Sequence, residues 1–283
     1  MTNYILVTAA ALLFSLQFFF NQRYQQTHGT GIEAALTFSI CSNFVVVLVM
    51  LIISGFKVVF TPFSIGITFI SAALGQVLLY YGFKVLKIAN LSVYSVYCML
   101  GGMLLPFIVG VMFYNEGLSA FKVLSCIFIG LSVILNAESG KQTKKAVIYY
   151  MIIFVLNGMA GVLSKVHQSA EFQHTDSTGY MIMSGIWNLI ICTAILLIKY
   201  KKFPIVSGEG FLYASGAGIF NGVANLWLLI SLIHLPASVQ YPIVTGGTMI
   251  FSTIISVFRK EKLTLMNYIA TGISFVASVL VVL

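Results

Sequence analysis

Charge is scarce in this chain. Asp, Glu, Lys and Arg make up 8% of its 283 residues, and only 7 residues are acidic. A soluble domain of this length needs far more charge to cover itself, so a water-borne globule is excluded. Cysteine is scarce as well. Cys41, Cys98, Cys126 and Cys192 all fall inside apolar stretches without metal-ligand spacing, which leaves them as small buried hydrophobes. No Asp or Glu occupies the centre of an apolar run, and no nucleotide loop, catalytic triad or embedded metal cluster is visible. No segment is long and polar enough to form an extra soluble domain.

What is abundant is hydrocarbon. Hydrophobic residues make up 59% of the chain, and mean hydropathy is +1.01. A bilayer span needs about 20 apolar residues. The sequence supplies ten such stretches, over 3–21, 35–53, 64–82, 91–113, 119–136, 147–166, 179–198, 208–230, 237–258 and 264–283. All are expected to be helical, because lipid offers no partner to an open backbone. The first stretch lacks the basic leader and cleavage site of a signal peptide and reads as a span. The fold class is therefore an all-α, polytopic membrane protein with ten transmembrane helices.

The net charge of +8 does not point to nucleic acid, because the basic residues sit singly or in threes at span ends. Arg23, Lys84, Lys87, Lys141, Lys144, Lys145, Lys199, Lys201, Lys202, Arg259, Lys260 and Lys262 belong to the odd-numbered connectors. Only Lys57, Lys122 and Lys165 belong to the even ones. The positive-inside rule places the odd connectors in the cytoplasm and both termini outside. The connector over 167–178 carries His167, Glu171, His174 and Asp176. It is expected to be water-exposed, and its spacing fits no simple helical metal pair.

Shifted by 145 positions, the sequence partly overlays itself. Gly101-Gly102 falls on Gly246-Gly247, Glu116 on Glu261, and Ser119 on Thr264. The ungapped register reaches back through Tyr80 on Asn225 and Gln76 on Asn221 to Ala72 on Ala217. The halves are 1–138 and 139–283, each with five spans. An odd number of crossings turns the second copy upside down, which makes two inverted repeats and places a binding site between them at the midplane.

Two passages carry a family resemblance. They read GGMLLPFIVGVMFYNEGLSAFKVLSCIFIGLSVIL and YPIVTGGTMIFSTIISVFRKEKLTLMNYIATGISFVASVLVVL. A Gly-rich helix, Glu-x-Leu-[Ser/Thr] and a small-residue-rich helix recur in both. The second passage resembles the C-terminal helix pair of the EamA branch of the drug/metabolite transporter superfamily. The resemblance implies five plus five helices and small-molecule transport by alternating access. Small multidrug resistance proteins, half-length relatives, use a membrane-embedded glutamate that has no counterpart here. Proton exchange on a buried carboxylate is therefore disfavoured.

The candidate site rests on polar residues at depth. Gln76 and Tyr80 share a face of span three, and Asn221 and Asn225 share the matching face of span eight. Asn43, Asn157 and Asn188 add single amides, and Gln17 lies deep in span one. Each amide serves either interhelical hydrogen bonding or a cavity. Tyr80, Tyr97, Trp187 and Tyr241 read as gates or stacking surfaces, or else as interfacial belts. Gly101, Gly102, Gly246 and Gly247 point to tight packing of span four on span nine, and Pro106 and Pro242 to bends or hinges. Ser119 and Thr264 read as N-caps of spans five and ten, and Glu116 and Glu261, just before them, as capping and interfacially solvated groups near the headgroups. No cofactor or metal is expected.

The expected activity is secondary transport of a small organic metabolite, an amino acid or an aromatic or zwitterionic compound, more readily outward. The expected setting is a bacterial cytoplasmic membrane, the expected partners are substrate and lipid, and the chain is a monomer or homodimer. The competing readings are an exporter of lipophilic cations, a membrane enzyme or lipid flippase, and a non-transporting assembly subunit.

Overall fold

A computed structural model describes residues 2–29, 31–86, 91–135, 144–203, 205–260 and 263–282, with side chains omitted at 82–86, 91–96 and 144–146. The expectations for Glu261, Lys87, Lys141 and Lys262, and those for the side chains of Lys84, Lys144 and Lys145, fall outside them. Ten helices follow one another: α1 Thr2–His28, α2 Ile32–Ile53, α3 Pro62–Leu86, α4 Leu91–Phe113, α5 Ala120–Leu135, α6 Lys144–Gln168, α7 Ser177–Tyr200, α8 Gly208–Leu232, α9 Ala237–Phe258 and α10 Leu265–Leu280. Seven of them, α1, α2, α3 and α6 to α9, are long and apolar enough to cross a membrane. The chain is a multi-pass membrane protein. Large apolar side chains such as Phe44, Leu48, Ile52, Ile190, Phe275 and Val279 stand exposed around it, and only lipid makes such a surface favourable.

Bounds agree with the sequence reading to within a few residues except at the end of α1. That helix runs on through Asn21-Gln22-Arg23 to His28. Tyr24 explains the extension. It is buried against Cys41 and Ala214, donates to the Ala34 carbonyl at 3.1 Å, and stacks on His28 at 4.7 Å.

Eight helices close a ring. α1 packs on α8 and α9, α2 on α7 and α8, α3 on α6 and α7, and α4 on α6 and α9. Around the ring the order is α1, α8, α2, α7, α3, α6, α4, α9. α5 and α10 pair with each other outside it, α10 firmly on α9 and α5 more loosely on α4. Hydroxyl groups fasten that pair. Ser125 donates to the Ala277 carbonyl at 2.7 Å, and Ser132 to the Ala270 carbonyl at 2.5 Å. In hydrocarbon, such bonds supply cohesion that apolar contact alone does not, about 0.6–2 kcal/mol each.

The paired glycines do pack helices tightly, but α4 is not seated on α9 through them. A Cβ at Gly101 would overlap the backbone carbonyl of Phe154 on α6, and one at Gly158 would lie 2.5 Å from the Gly101 carbonyl. Gly246 faces Ser278 and Ser274 of α10, Gly247 faces Ala11 of α1, and Gly102 faces the Asn157 amide. Each helix of the ring has two neighbours, and the glycines serve whichever backbone comes nearest. Pro106 and Pro242 lie inside helices that continue through them.

Candidate functional site: an amide band and a polar end

Four asparagines sit on helix faces turned from lipid. The 3.6-residue period sets Asn43 opposite exposed Leu48 and Ile52 on α2, and Asn188 opposite Ile190 and Leu197 on α7. By the same period Asn157 opposes Ile148 and Val155 on α6, and Asn221 opposes Leu212 and Ile219 on α8. α2 and α7 run antiparallel. The Cys192 thiol donates to Ser39 Oγ at 3.3 Å, while a Cβ at Gly185 would lie 2.6 Å from Val47. Asn43 and Asn188 therefore fall at the crossing of the two helices.

Most amide donors are engaged. Asn43 Nδ2 donates to the Ser39 carbonyl at 2.8 Å, and Asn188 Nδ2 to the Ser184 carbonyl at 2.9 Å. Gln76 reaches across from α3, its Nε2 donating to Asn188 Oδ1 at 2.8 Å. Asn157 Nδ2 donates to the Cys98 carbonyl of α4 at 2.6 Å. Asn225 folds back within α8 and donates to Asn221 Oδ1 at 2.7 Å. The Ser39/Asn43 and Ser184/Asn188 units lie in the 145-residue register, an agreement the sequence reading missed because it followed the register back only as far as Ala72.

The aromatic expectations fare differently. Tyr80 is 40% exposed and lies under the Lys199 ammonium at 5.6 Å. It shares its flank of α3 with exposed Phe69 and is not an interior gate, because that flank faces outward beside α7. Trp187 sets its edge on Phe69 at 5.0 Å. Tyr97 stacks on Tyr150 of α6 at 4.9 Å and 9°. Tyr241 joins α9 to α6 through a hydrogen bond to the Gly161 carbonyl at 3.1 Å.

The densest polar chemistry lies at one end of the bundle, where α3, α7 and α9 start and α4, α6 and α8 stop. Glu116 is its centre. The carboxylate accepts the Ala237 and Ser238 backbone N–H groups, each at 2.8 Å, and the Lys165 ammonium at 2.9 Å. The two side chains are 6% and 9% exposed, Glu116 the lower. Desolvation pushes the Glu116 pKa up, but the bonds from Ser238, Lys165 and Ala237 outweigh it and hold the carboxyl below the usual range. Glu116 thus caps α9, a helix of the other half. α9 needs the help, since Pro236 at its N-cap makes no side-chain capping bond. That missing cap was the available sequence signal. Ser119 caps α5, accepting the Lys122 N–H at 3.2 Å, and Thr264 caps α10 in a capping box with Asn267, both as expected.

His167 corrects the picture of a water-exposed connector. It is fully buried. One ring nitrogen bonds Ser64 Oγ at 2.9 Å, Phe63 stacks on it at 5.8 Å, and His174 meets it edge-on at 5.1 Å. Among the described residues, no three His, Cys, Asp or Glu side chains gather closely enough to hold a metal. Asp176 is the N-cap of α7, accepting the Gly179 N–H at 2.8 Å.

Across the same end runs an apolar plug of Leu163 and Val166 from α6, Leu229 from α8, Phe63 and Ile67 from α3, and Tyr180 from α7. It joins α6 to α8 across the ring. At the opposite end the links are peripheral. They include Lys202 to Glu33 at 2.5 Å, both well exposed, and His28 to Ser207 at 2.8 Å. An open apolar groove of about 410 Å³ between Tyr4, Ile5, Thr8, Ala9 and Leu12 of α1 and Phe251 of α9 faces outward.

No protein-family model and no curated protein matches the sequence. Among solved structures, 28 chains match. One, described as "Crystal structure of protein", superposes with a TM-score of 0.77 over 99% of this chain and 96% of its own, at 16% identity. The likeness is one of fold. It reaches nearly end to end on both chains, so the overall fold is shared with a known structure.

Proposed function

We propose that the chain is a secondary transporter of the EamA type, built as two inverted five-helix repeats and moving a small uncharged or zwitterionic metabolite across a bacterial cytoplasmic membrane by alternating access. One observation carries the reading. Exchange each helix for the one five places away, and the main ring contacts map onto themselves. α1 on α8 becomes α6 on α3, α1 on α9 becomes α6 on α4, and α2 on α8 becomes α7 on α3. The α2–α7, α4–α9 and α5–α10 pairs are their own counterparts. The 145-residue register agrees. It interchanges the Ser125–Ala277 and Ser132–Ala270 positions that α5 and α10 join by hydrogen bonds.

A pseudo-two-fold of this kind supports a carrier because each repeat can close one mouth. The contact set also departs from symmetry in several places, and one of them lies across the ring. The α6–α8 crossing at the Glu116 end has no comparably extensive α1–α3 counterpart among the described residues. With the basic connectors inside, the Glu116 end faces outward and is the closed mouth. The Glu116–Lys165 pair is internally compensated, and the amide band adds donors and acceptors without net charge. That chemistry suits amino acids or neutral aromatic compounds and gives a compact cation no counter-charge.

Flux into proteoliposomes across a panel of amino acids, amines and nucleobases is the direct test. Saturable uptake of at least one neutral or zwitterionic compound is expected. Asn188→Leu strands the Gln76 amide, and Asn43→Leu removes the facing group at the crossing. Each is expected to cut the initial rate about tenfold or more, the equivalent of losing one buried hydrogen bond. Wild-type flux in both variants would disqualify the band as the substrate site.

A further inference from the structure

We infer that Glu116 is a detachable clasp, which holds the closed mouth shut by tying the end of α6 to the start of α9 and which must let go before that mouth can open. The inference deepens the carrier reading and rests on it.

α6 and α9 are not packing neighbours along their lengths, because α4 stands between them in the ring. At the Glu116 end they are nevertheless joined. Lys165 of α6 and the Ala237 and Ser238 amides of α9 share the Glu116 carboxylate. One turn deeper, Tyr241 of α9 bonds the Gly161 carbonyl of α6. The plug residues Leu163 and Val166 lie on the same last turns of α6. A solute path through this mouth has to part α6 from α8 and α9, and the clasp spans that line. Gly110 leaves room for it, since a Cβ there would lie 2.6 Å from Glu116 Oε2.

The chemistry suits a catch better than a permanent weld. Glu116 sits on a connector, outside any helix, so it can withdraw without breaking a backbone ladder. On release, Lys165 and the α9 amides meet incoming water in place of the carboxylate, so no charge is left dry. In the closed state all three donors are satisfied by one acceptor.

Labelling reads this without a known substrate. Leu163→Cys is placed in a variant whose four native cysteines are replaced by alanine, and sealed vesicles of each orientation are treated with a membrane-impermeant maleimide. From the Glu116 side, slow modification is expected. Adding Glu116→Gln or Lys165→Met should raise the rate about tenfold, the shift that a loss of roughly 1.4 kcal/mol from the closed state produces. The two together should add nothing further, and Lys202→Met at the opposite end should leave the rate unchanged. Size-exclusion chromatography establishes that each variant is folded, and either clasp variant suffices if the other is lost. Unchanged labelling in a folded clasp variant makes Glu116 a static cap and overturns the inference, even with flux intact. Absence of flux from the unmutated protein overturns the carrier reading while leaving the labelling result standing.

Discussion

Gly101→Leu is expected to abolish recovery of folded protein. At this point α4 and α6 touch backbone to backbone. Any Cβ at Gly101 lands on the Phe154 carbonyl, and the reciprocal Gly158 has the Gly101 carbonyl at 2.5 Å and Leu105 Cβ at 2.7 Å from its own Cβ position. Neither neighbour is the free end of a side chain, so relief requires moving a whole helix. Moving α6 drags the Asn157–Cys98 bond and the Tyr97–Tyr150 stack with it. Overpacking in a tight interior costs about 1–3 kcal/mol for a modest excess, and four extra carbons against backbone exceed that. Gly101→Ala should melt well below wild type in detergent and Gly101→Leu should yield aggregate. Gly75→Ala on α3, with open space around it, should match wild type or gain up to about 1 kcal/mol from helix propensity. A Gly101→Leu protein with the wild-type melting temperature would refute the close approach of α4 and α6.

The second large effect concerns Glu116. Its replacement by alanine leaves the Lys165 ammonium buried without its carboxylate and removes the acceptor for the first amides of α9. Breaking a buried pair from one side costs about 3–5 kcal/mol. Acid should act in the same direction. The folded carboxyl is held below its usual range, so its contribution is present at neutral pH and is lost as pH falls through that lowered value. The melting temperature in detergent should therefore drop on acidification below the ordinary carboxylate range. In Glu116→Gln, which has no proton to take up there, the drop should be much smaller. Equal acid slopes in the two proteins would remove Glu116 as the responsible group.

Sequence reading reached the helices and stopped short of their partners. Span length and polarity are local properties, and they located all ten helices. They missed the last two turns or so of α1 because Asn21-Gln22-Arg23 looks like an exit from lipid, while Tyr24 finds its reason to stay helical on α2 and α8. The site was legible in part. Asn43, Asn157 and Asn221 occupy interior faces, as amides at depth should. Tyr80 faces the surface because angular position on α3 depends on which sides α6 and α7 cover, and that lies in no single helix. Glu116 was read as a headgroup-level cap. It is a cap, but on a helix that begins at Ala237 and with a lysine from α6; the uncapped Pro236 signals that α9 lacks an acceptor without saying which distant residue supplies it.

The ring also bears on how this protein is made. α1 leans on α8 and α9, and α2 on α7 and α8, all encoded in the second half of the message. The first spans to leave the ribosome must wait in the bilayer with the faces that carry Ser15 and Asn43 uncovered by their later partners until synthesis is nearly over. Premature termination would leave an orphaned half exposing those faces to lipid, a form that membrane quality-control proteases can recognise.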